Sequence, residues 1–196
     1  MRWVGLGLVG LFLLLILILG FSACGTYNRL VEKQEQVSAQ VGQLQNVLQR
    51  RADLIPNLVE VVKGYAAHEQ ETLTAVTQAR AAATQTQVNL NDPAALQRYL
   101  QAQDQLSQAL SRLMVVVERY PELKANEQFN RLMDELAGTE NRIAVERRRY
   151  NELAREYNTS IRRFPAALFA QMFGFEPVPY FEAAPEAQSA PRVEFD

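Results

Sequence analysis

Six apolar residues recur at intervals of seven in the second half of the chain. They are Phe129, Leu136, Ile143, Tyr150, Tyr157 and Phe164. Such a repeat is typical of a helix that buries one apolar stripe against partner helices. It predicts a single helix of about 43 residues between Pro121 and Phe164, roughly 64 Å long at 1.5 Å per residue. A helix of that length must pack along more than one shorter partner.

The first half of the chain carries the same spacing. One row contains Leu30, Val37, Leu44 and Leu58, and a second contains Tyr27, Val41, Leu48, Ile55 and Val62. Pro56 interrupts these rows, because proline lacks an amide hydrogen and disfavours helical geometry in the residue before it. Since the spacing survives the proline, we predict one long kinked helix over residues 27–86. A complete break at Pro56 would instead give a bundle of four helices.

A stop signal follows at residues 88–93, where Asp92 can cap a helix and Pro93 suits the first helical position. Two further rows mark the next helix: Leu96, Leu110 and Val117, and Tyr99, Leu106 and Leu113. Short connections make neighbouring helices antiparallel. We therefore predict an all-α fold, an up-and-down bundle over residues 26–164. It contains three long helices, the first kinked at Pro56, or four if that helix breaks.

Residues 4–21 form an unbroken apolar block, VGLGLVGLFLLLILILGF. As a helix its 18 residues would extend roughly 27 Å, close to the about 30 Å of a bilayer's hydrocarbon core. Arg2 before the block and the small residues before Cys24 also resemble a bacterial lipoprotein signal, in which the cysteine is lipidated. We predict that residues 1–25 anchor the chain to a membrane, either as a transmembrane helix or through Cys24.

Cysteine usage and charge exclude several classes of protein. Cys24 is the only cysteine, which excludes a disulfide framework and a zinc–thiolate cluster. Residues 26–164 carry 18 basic and 17 acidic side chains, so they lack the uncompensated basic face that nucleic-acid binding needs. The charges that flank the apolar block do not determine the orientation of the chain in the membrane. Arg2 lies on one side of the block and Arg29 and Lys33 lie on the other, which leaves the membrane orientation open.

The densest mixture of charged and polar residues surrounds the proline. Arg50, Arg51 and Asp53 are candidates for binding an anionic ligand or a partner, because a kink at Pro56 and Asn57 would free backbone groups beside them. The structural alternative is that these charges pair with each other or with another helix and orient the bend.

Arg51 shares the heptad row of Leu44, which predicts an inward charge that fixes the register of the helices. The alternative for this segment is a ligand sensor or hydrolase that uses Arg51, Asp53 and Lys63.

The chain is poor in the residues and motifs of catalytic sites. His68 is the only histidine and the chain has no glycine-rich phosphate loop, so we expect no catalytic residues, metal site or cofactor.

The tail, residues 165–196, is unusual in composition. Together with Phe164 it holds 7 of the chain's 17 aromatic residues, whereas disordered tails are poor in them. The sequence predicts a short helix ended by Gly174 and then an extended path set by four prolines. Tyr180 and Phe181 are candidates for docking on the bundle, which we favour, or for binding a partner. A tail charge of −4 makes contact with an anionic membrane unfavourable.

Four segments of the chain closely resemble the bacterial LemA family. They are QRRADLIPNLVEVVKGYAAHE at Gln49–Glu69, YPELKANEQF at Tyr120–Phe129, GTENRIAVERRRYNELAREYN at Gly138–Asn158 and FPAALFAQMFGFEPVPYFEA at Phe164–Ala183. The family pattern also has a tryptophan near Val41, which this chain lacks, and this suggests altered packing there. The resemblance implies a membrane-anchored helical domain without an established catalytic activity.

These observations predict a non-enzymatic, membrane-anchored bundle that presents a helical face for protein assembly in a bacterial envelope. Its partners would be other envelope proteins or further copies of the chain. Its location would be the bacterial cell membrane, reached by a single-pass helix over residues 4–21 or by a lipid on Cys24.

Overall fold

A computed structural model describes residues 2–86 and 93–181. The six helices are α1 (Arg2–Tyr65), α2 (Gln70–Gln85), α3 (Pro93–Val117), α4 (Pro121–Lys124), α5 (Glu127–Arg162) and α6 (Ala166–Phe173). Every regular element in these residues is a helix, which confirms the all-α prediction. The long helices α1 and α5 pack side by side, α2 packs on α3 and on α1, and α6 packs on both α1 and α5.

The first helix does not have the predicted end. α1 continues through Pro56 and the chain turns only at residues 66–69, so the predicted single helix over residues 27–86 is wrong. Side chains on both sides of the turn, such as Val62 and Val76, are buried in the same core cluster. This shared burial explains why the apolar spacing continues across the break. The bundle therefore has four main helices, but not because α1 breaks at the proline.

Helix α1 tolerates Pro56 because a side chain replaces the missing amide hydrogen. In an α-helix the amide of residue 56 would donate to the carbonyl of Ala52, four residues earlier. Pro56 has no N–H, and Nε of Arg80 on α2 donates to the Ala52 carbonyl oxygen at 2.6 Å instead. Ala52 is only 3% exposed, so its carbonyl would otherwise be shielded from water. Helix α2 thus repairs the gap in the hydrogen bonding of α1.

The substitution Arg80→Met should lower the free energy of unfolding by about 1–3 kcal/mol, the cost of leaving a buried carbonyl without a donor. Pro56→Ala supplies an amide hydrogen to the same carbonyl and should cancel most of that loss, so the two effects should not add. Urea denaturation of both single variants and of the double variant measures the coupling. Strictly additive effects would show that Arg80 does not compensate for the proline.

The predicted helix from Pro121 to Phe164 is divided near its start and is shorter at its end. Helix α4 is separate, and Asn126 begins α5 by accepting a hydrogen bond from the Phe129 amide at 2.9 Å, with its own backbone extended at ψ 120°. Helix α5 ends at Arg162. Phe164 lies beyond it and is 83% exposed, whereas the other five members of its heptad row are buried.

The buried apolar side chains form two clusters along the bundle. The first joins the C-terminal part of α1 to α2, α3 and the start of α5, and includes Ile55 and Leu113. The second joins residues 30–48 of α1 to the start of α3, to α5, to α6 and to Phe181. On α1, α3 and α5, a buried polar residue separates the members of the two clusters. These polar residues, which we call the polar layer, are Arg51, Gln103 and Thr139.

Among the described residues, no helix combines the length and the apolar character needed to cross a bilayer. Most side chains of the apolar block lie outside the described part of the chain, as do Asp92, the predicted helix cap, and residues 182–196 of the tail. Helix α3 begins at Pro93, as predicted. The membrane anchor at residues 1–25 stays a prediction.

Candidate functional site

Arg51 lies in the polar layer and is 1% exposed. Its guanidinium donates hydrogen bonds to two other helices. Nη1 reaches Glu140 Oε1 of α5 at 2.5 Å and Ser107 Oγ of α3 at 3.3 Å, and Nη2 reaches Gln103 Oε1 of α3. The structure thus places Arg51 inward, the position that its heptad row predicts.

The polar layer also reaches the fourth main helix. Gln103 is 4% exposed and donates from Nε2 to the Ala83 carbonyl of α2 at 3.4 Å. The charge of Arg51 is compensated by Glu140, whose side chain is 44% exposed. A shift of any of these helices along its axis would separate the enclosed guanidinium from its partners, at a high desolvation cost. The arrangement therefore suits a structural role in fixing the register of the helices.

The other residues predicted around the proline lie at the surface. Arg50 is exposed and forms a long ion pair with Glu135, at 3.7 Å. Asp53 is exposed and accepts a hydrogen bond from Gln49 at 2.7 Å. The remaining candidates of this segment are exposed as well: Pro56, Asn57 and Lys63. Arg51 is enclosed whereas Asp53 faces solvent, so the two residues have different environments.

A polar cavity of about 400 Å³ lies beside the polar layer, between α1, α2 and α3. Gln103, which holds Arg51, forms part of its wall. The other polar wall residues are Gln45, Gln49, Thr84, Thr86 and Tyr99. We did not predict this cavity from the sequence. Amide and hydroxyl groups of this kind suit a neutral polar molecule and provide no nucleophile with a neighbouring base.

Cysteine and histidine, the residue types most often found in catalytic and metal sites, occur once each. Cys24 and His68 are both exposed. Within residues 2–86 and 93–181, no three His, Cys, Asp or Glu side chains lie close enough to hold a metal ion. Lipidation of Cys24 stays a prediction.

The described part of the tail docks along α5, where two asparagines hold its backbone. Asn158 donates to the Val178 carbonyl at 2.8 Å and accepts from the Val178 amide at 2.9 Å. Asn151 makes the same pair of bonds to Phe181, also at 2.8 and 2.9 Å. Each side-chain amide therefore pairs with both backbone groups of one residue, as the backbone of a neighbouring β-strand would.

Two tyrosines next to these asparagines also donate hydrogen bonds to the backbone of the tail. The Tyr150 hydroxyl donates to the Pro179 carbonyl at 2.8 Å, and the Tyr157 hydroxyl donates to the Glu176 carbonyl at 3.0 Å. The rings of Tyr150 and Phe181 pack edge to face, with centroids 4.6 Å apart. We call the four side chains the tail clamp: Tyr150, Asn151, Tyr157 and Asn158. The clamp acts mainly on the backbone of the tail.

Tail docking was the favoured prediction, and the structure shows it as far as Phe181. Phe181 is 4% exposed, whereas Tyr180 is 44% exposed. The clamp asparagines were not predicted, although the sequence contains a signal for them. The dipeptide Tyr-Asn occurs at 150–151 and again at 157–158. A separation of seven residues places both asparagines on one helix face, directly beside the buried apolar row.

Burial raises the pKa of three tyrosines in the second core cluster. The pKa of Tyr99 rises to about 12, because burial outweighs the opposing effect of the nearby Arg147 and Arg51 charges. Burial also raises the pKa of Tyr150 and of Tyr157 above the usual tyrosine value. The fold therefore favours the neutral phenol at all three positions.

Raising the pH above 10 should destabilise the protein. Unfolded tyrosines ionise near pH 10 while the folded ones keep their protons, so stability is complete below pH 10 and falls as pH rises towards about 12. Tyr99 should contribute a loss of up to about 1.4 kcal/mol per pH unit in that interval, and the raised pKa values of Tyr150 and Tyr157 should add losses of the same sign. Urea denaturation across the alkaline range measures the slope. Tyr99→Phe should flatten it and Tyr65→Phe, at an exposed position, should not; equal slopes in both variants would contradict the prediction.

Comparison with known protein families identifies the family. The model of the LemA family matches residues 40–195. The chain belongs to the LemA family. This match includes the polar layer and the tail clamp, and it confirms the resemblance of the four sequence segments.

Similar curated proteins carry two names. Magnetosome protein MamQ of Magnetospirillum gryphiswaldense is 29% identical, over 81% of this chain and 65% of its own length. Magnetosome protein MamQ 1 of Paramagnetospirillum magneticum is 28% identical with the same coverage. Protein LemA of Metamycoplasma hominis is 27% identical, over 88% of this chain and 76% of its own length. The chain thus spans about two thirds of the length of the MamQ relatives.

Proposed function

We propose that this protein is a non-enzymatic, membrane-anchored scaffold that holds its tail on α5 and presents residues 182–196 to a protein partner in the bacterial envelope. The partner would be another envelope protein or a second copy of the chain. The non-enzymatic character is supported by the surroundings of the charged candidates, since Arg51 is committed to the polar layer and Asp53 faces solvent.

The observation that carries this proposal is the tail clamp. Its bonds to Val178 and Phe181 hold the tail to α5 immediately before Glu182. From Glu182 onward the sequence is acidic and contains two prolines. A segment that is fixed at one end loses less conformational freedom when a partner binds it, which lowers the entropic cost of association. The clamp therefore suits a role in presenting residues 182–196.

The membrane anchor is the second part of the proposal. Residues 4–21 contain no charged or polar side chain, and α1 continues from this block into the bundle as one helix. The bundle would then stand directly on the membrane surface. Retention in the membrane pellet after alkaline carbonate extraction is expected, and complete release would refute the anchor. The mass of the mature N-terminus distinguishes an intact Met1 from an acylated Cys24.

Photo-cross-linking in intact cells tests the partner. A photoreactive amino acid in place of Glu186 should give cross-linked species of higher mass, since residues 182–196 would contact a protein. The same amino acid in place of Arg112, an exposed residue on α3, is the matched control and should give far fewer. Mass spectrometry then separates an envelope protein from a second copy. Recovery of the uncross-linked chain alone from both positions would refute the assembly function.

A second candidate function is the sensing of a neutral polar molecule. The observation in its favour is the cavity of about 400 Å³ beside the polar layer, since a ligand there would contact Gln103 and so reach Arg51 indirectly. Thermal-shift measurements with monosaccharides and nucleosides as probes test it. A saturable rise in Tm that Gln45→Leu abolishes would support sensing, and no rise with any probe would count against it.

A further inference from the structure

A second and larger groove lies at the opposite end of the bundle from the α1–α2 turn. It has a volume of about 860 Å³ and runs between α1 and the C-terminal part of α5. Its lining begins at Ser22 on α1, and on the other side extends through Arg163 to Ala166 at the start of α6. The groove therefore sits where α1 leaves the apolar block and enters the bundle.

The groove is strongly cationic. Arg29, Lys33, Arg155 and Arg163 line it, against a single acidic residue, Glu156. Lys33 and Glu156 form an ion pair at 3.1 Å. Within the described chain, none of the three arginines forms an ion pair, so the lining of the groove keeps a net positive charge. Guanidinium groups bind phosphate oxygens through two parallel N–H donors, which makes a phosphate ester a well-matched ligand.

The groove has the right height for a lipid headgroup. Arg29 lies about 12 Å along the helix axis from Phe21, the last residue of the apolar block. Helical side chains lean towards the N-terminus of their helix, which on α1 is the direction of the block. Arg29 therefore reaches back towards the layer of headgroups, which extends about 5–8 Å beyond the hydrocarbon core on each side.

Helix α6 supplies apolar contacts at the same level. Phe173 at its end packs edge to face against Tyr27 of α1, with ring centroids 5.1 Å apart. Leu168 and Met172 form an exposed apolar row on α6 and are 62% and 65% exposed, and Phe164, which lies just before the helix, is 83% exposed. Exposed apolar side chains of this kind, on a short helix beside a cationic groove, are typical of a segment that lies in the membrane interface.

We propose that this groove binds the phosphate of an anionic phospholipid headgroup while the apolar row of α6 enters the interface. The inference rests on the membrane anchor of the proposed function. Three separate observations support it: the net positive charge of the groove lining, the position directly after the apolar block, and the exposed apolar row of α6. The lipid would fix the tilt of the bundle on the membrane, in addition to the attachment by the anchor.

The docked part of the tail runs away from the α6 end of the groove. The tail clamp directs the chain along α5 away from the groove, because Glu176 bonds to Tyr157 and Phe181 bonds to Asn151. Asn151, which holds Phe181, precedes Arg163 by twelve residues, so the docked tail leaves the end of the groove at which α6 begins.

Lipid titration of the full chain in nonionic detergent tests the proposal. Short-chain phosphatidylglycerol should bind at least about tenfold more tightly than short-chain phosphatidylcholine, since each cation near an anionic surface contributes about fivefold in affinity. Replacing the three groove arginines, Arg29, Arg155 and Arg163, by glutamine should abolish that preference. The control, Arg112, Arg142 and Arg148 replaced by glutamine, loses the same charge at exposed positions and should keep it.

Three results would overturn the assignment. One is equal binding of the two lipids, and another is an equal loss of preference in the control variant. A third is binding of inorganic phosphate as tight as that of phosphatidylglycerol, which would make the groove a site for a free anion. Carbonate extraction tests the anchor separately, so a chain that stays in the membrane but shows no lipid preference would refute the groove alone.

Discussion

Replacing Glu140 by alanine should lower the free energy of unfolding by about 2–3 kcal/mol. The substitution leaves the guanidinium of Arg51, which is 1% exposed, without the one counter-charge that it has among the described residues. A fully enclosed pair would lose about 3–5 kcal/mol, but the Glu140 side chain is 44% exposed, so water can partly replace it. Urea denaturation of the full chain in detergent measures the change.

Two companion variants make this result interpretable. Glu135→Ala removes the exposed partner of Arg50, at 3.7 Å, and should cost less than about 1 kcal/mol. Arg51→Met fills the site with an apolar side chain and should cost less than Glu140→Ala, because no unpaired charge is left behind. A loss for Glu140→Ala no larger than that for Glu135→Ala would contradict the structural role of the polar layer.

The double substitution Asn151→Ala and Asn158→Ala should release the tail from α5. It removes four hydrogen bonds to the backbone of Val178 and Phe181, each worth about 1 kcal/mol. Hydrogen exchange at these two amides should accelerate by about 100-fold or more, because local opening becomes much cheaper. The global unfolding free energy should change less, since α1 and α5 keep their contacts.

An exposed asparagine is the matched control for this experiment. Asn57→Ala removes the same side-chain amide from α1 and should leave exchange at both tail amides unchanged. The single variant Asn158→Ala should expose the Val178 amide more than the Phe181 amide, because Asn151 still holds the latter. Unchanged protection of both amides in the double variant would show that the clamp does not hold the tail.

Apolar periodicity was enough to predict the helical fold but not the places where helices end. Pro56 is the strongest break signal in the first half of the chain, yet α1 passes through it because Arg80 supplies the missing donor. That compensation comes from a residue 28 positions after Ala52, whose carbonyl it satisfies, and depends on the packing of α2 on α1. No rule that considers only neighbouring residues in the sequence could predict this compensation. The actual turn at residues 66–69 was hidden because both flanking helices bury their apolar rows in one cluster.

The candidate site was likewise predictable from the sequence only in part. Arg51 was predictable as an inward charge because it occupies a heptad position, and burial depends directly on that position. Its partners Glu140 and Gln103 were not, since they come from helices whose relative register the sequence does not state. The clamp asparagines escaped prediction because a polar residue beside an apolar row is ordinarily solvated. Only the docked tail shows what they bind.

The proposed function requires that the clamp on α5 positions residues 182–196 for a protein partner. Photo-cross-linking from Glu186 in intact cells, compared between the natural chain and the Asn151→Ala, Asn158→Ala variant at equal membrane abundance, tests it most directly. A discrete cross-linked protein is expected in the natural chain, with a loss of at least about tenfold in the variant, because the clamp no longer holds Val178 and Phe181 on α5. The same cross-linked yield in both chains, or no cross-linked protein in either, would contradict it.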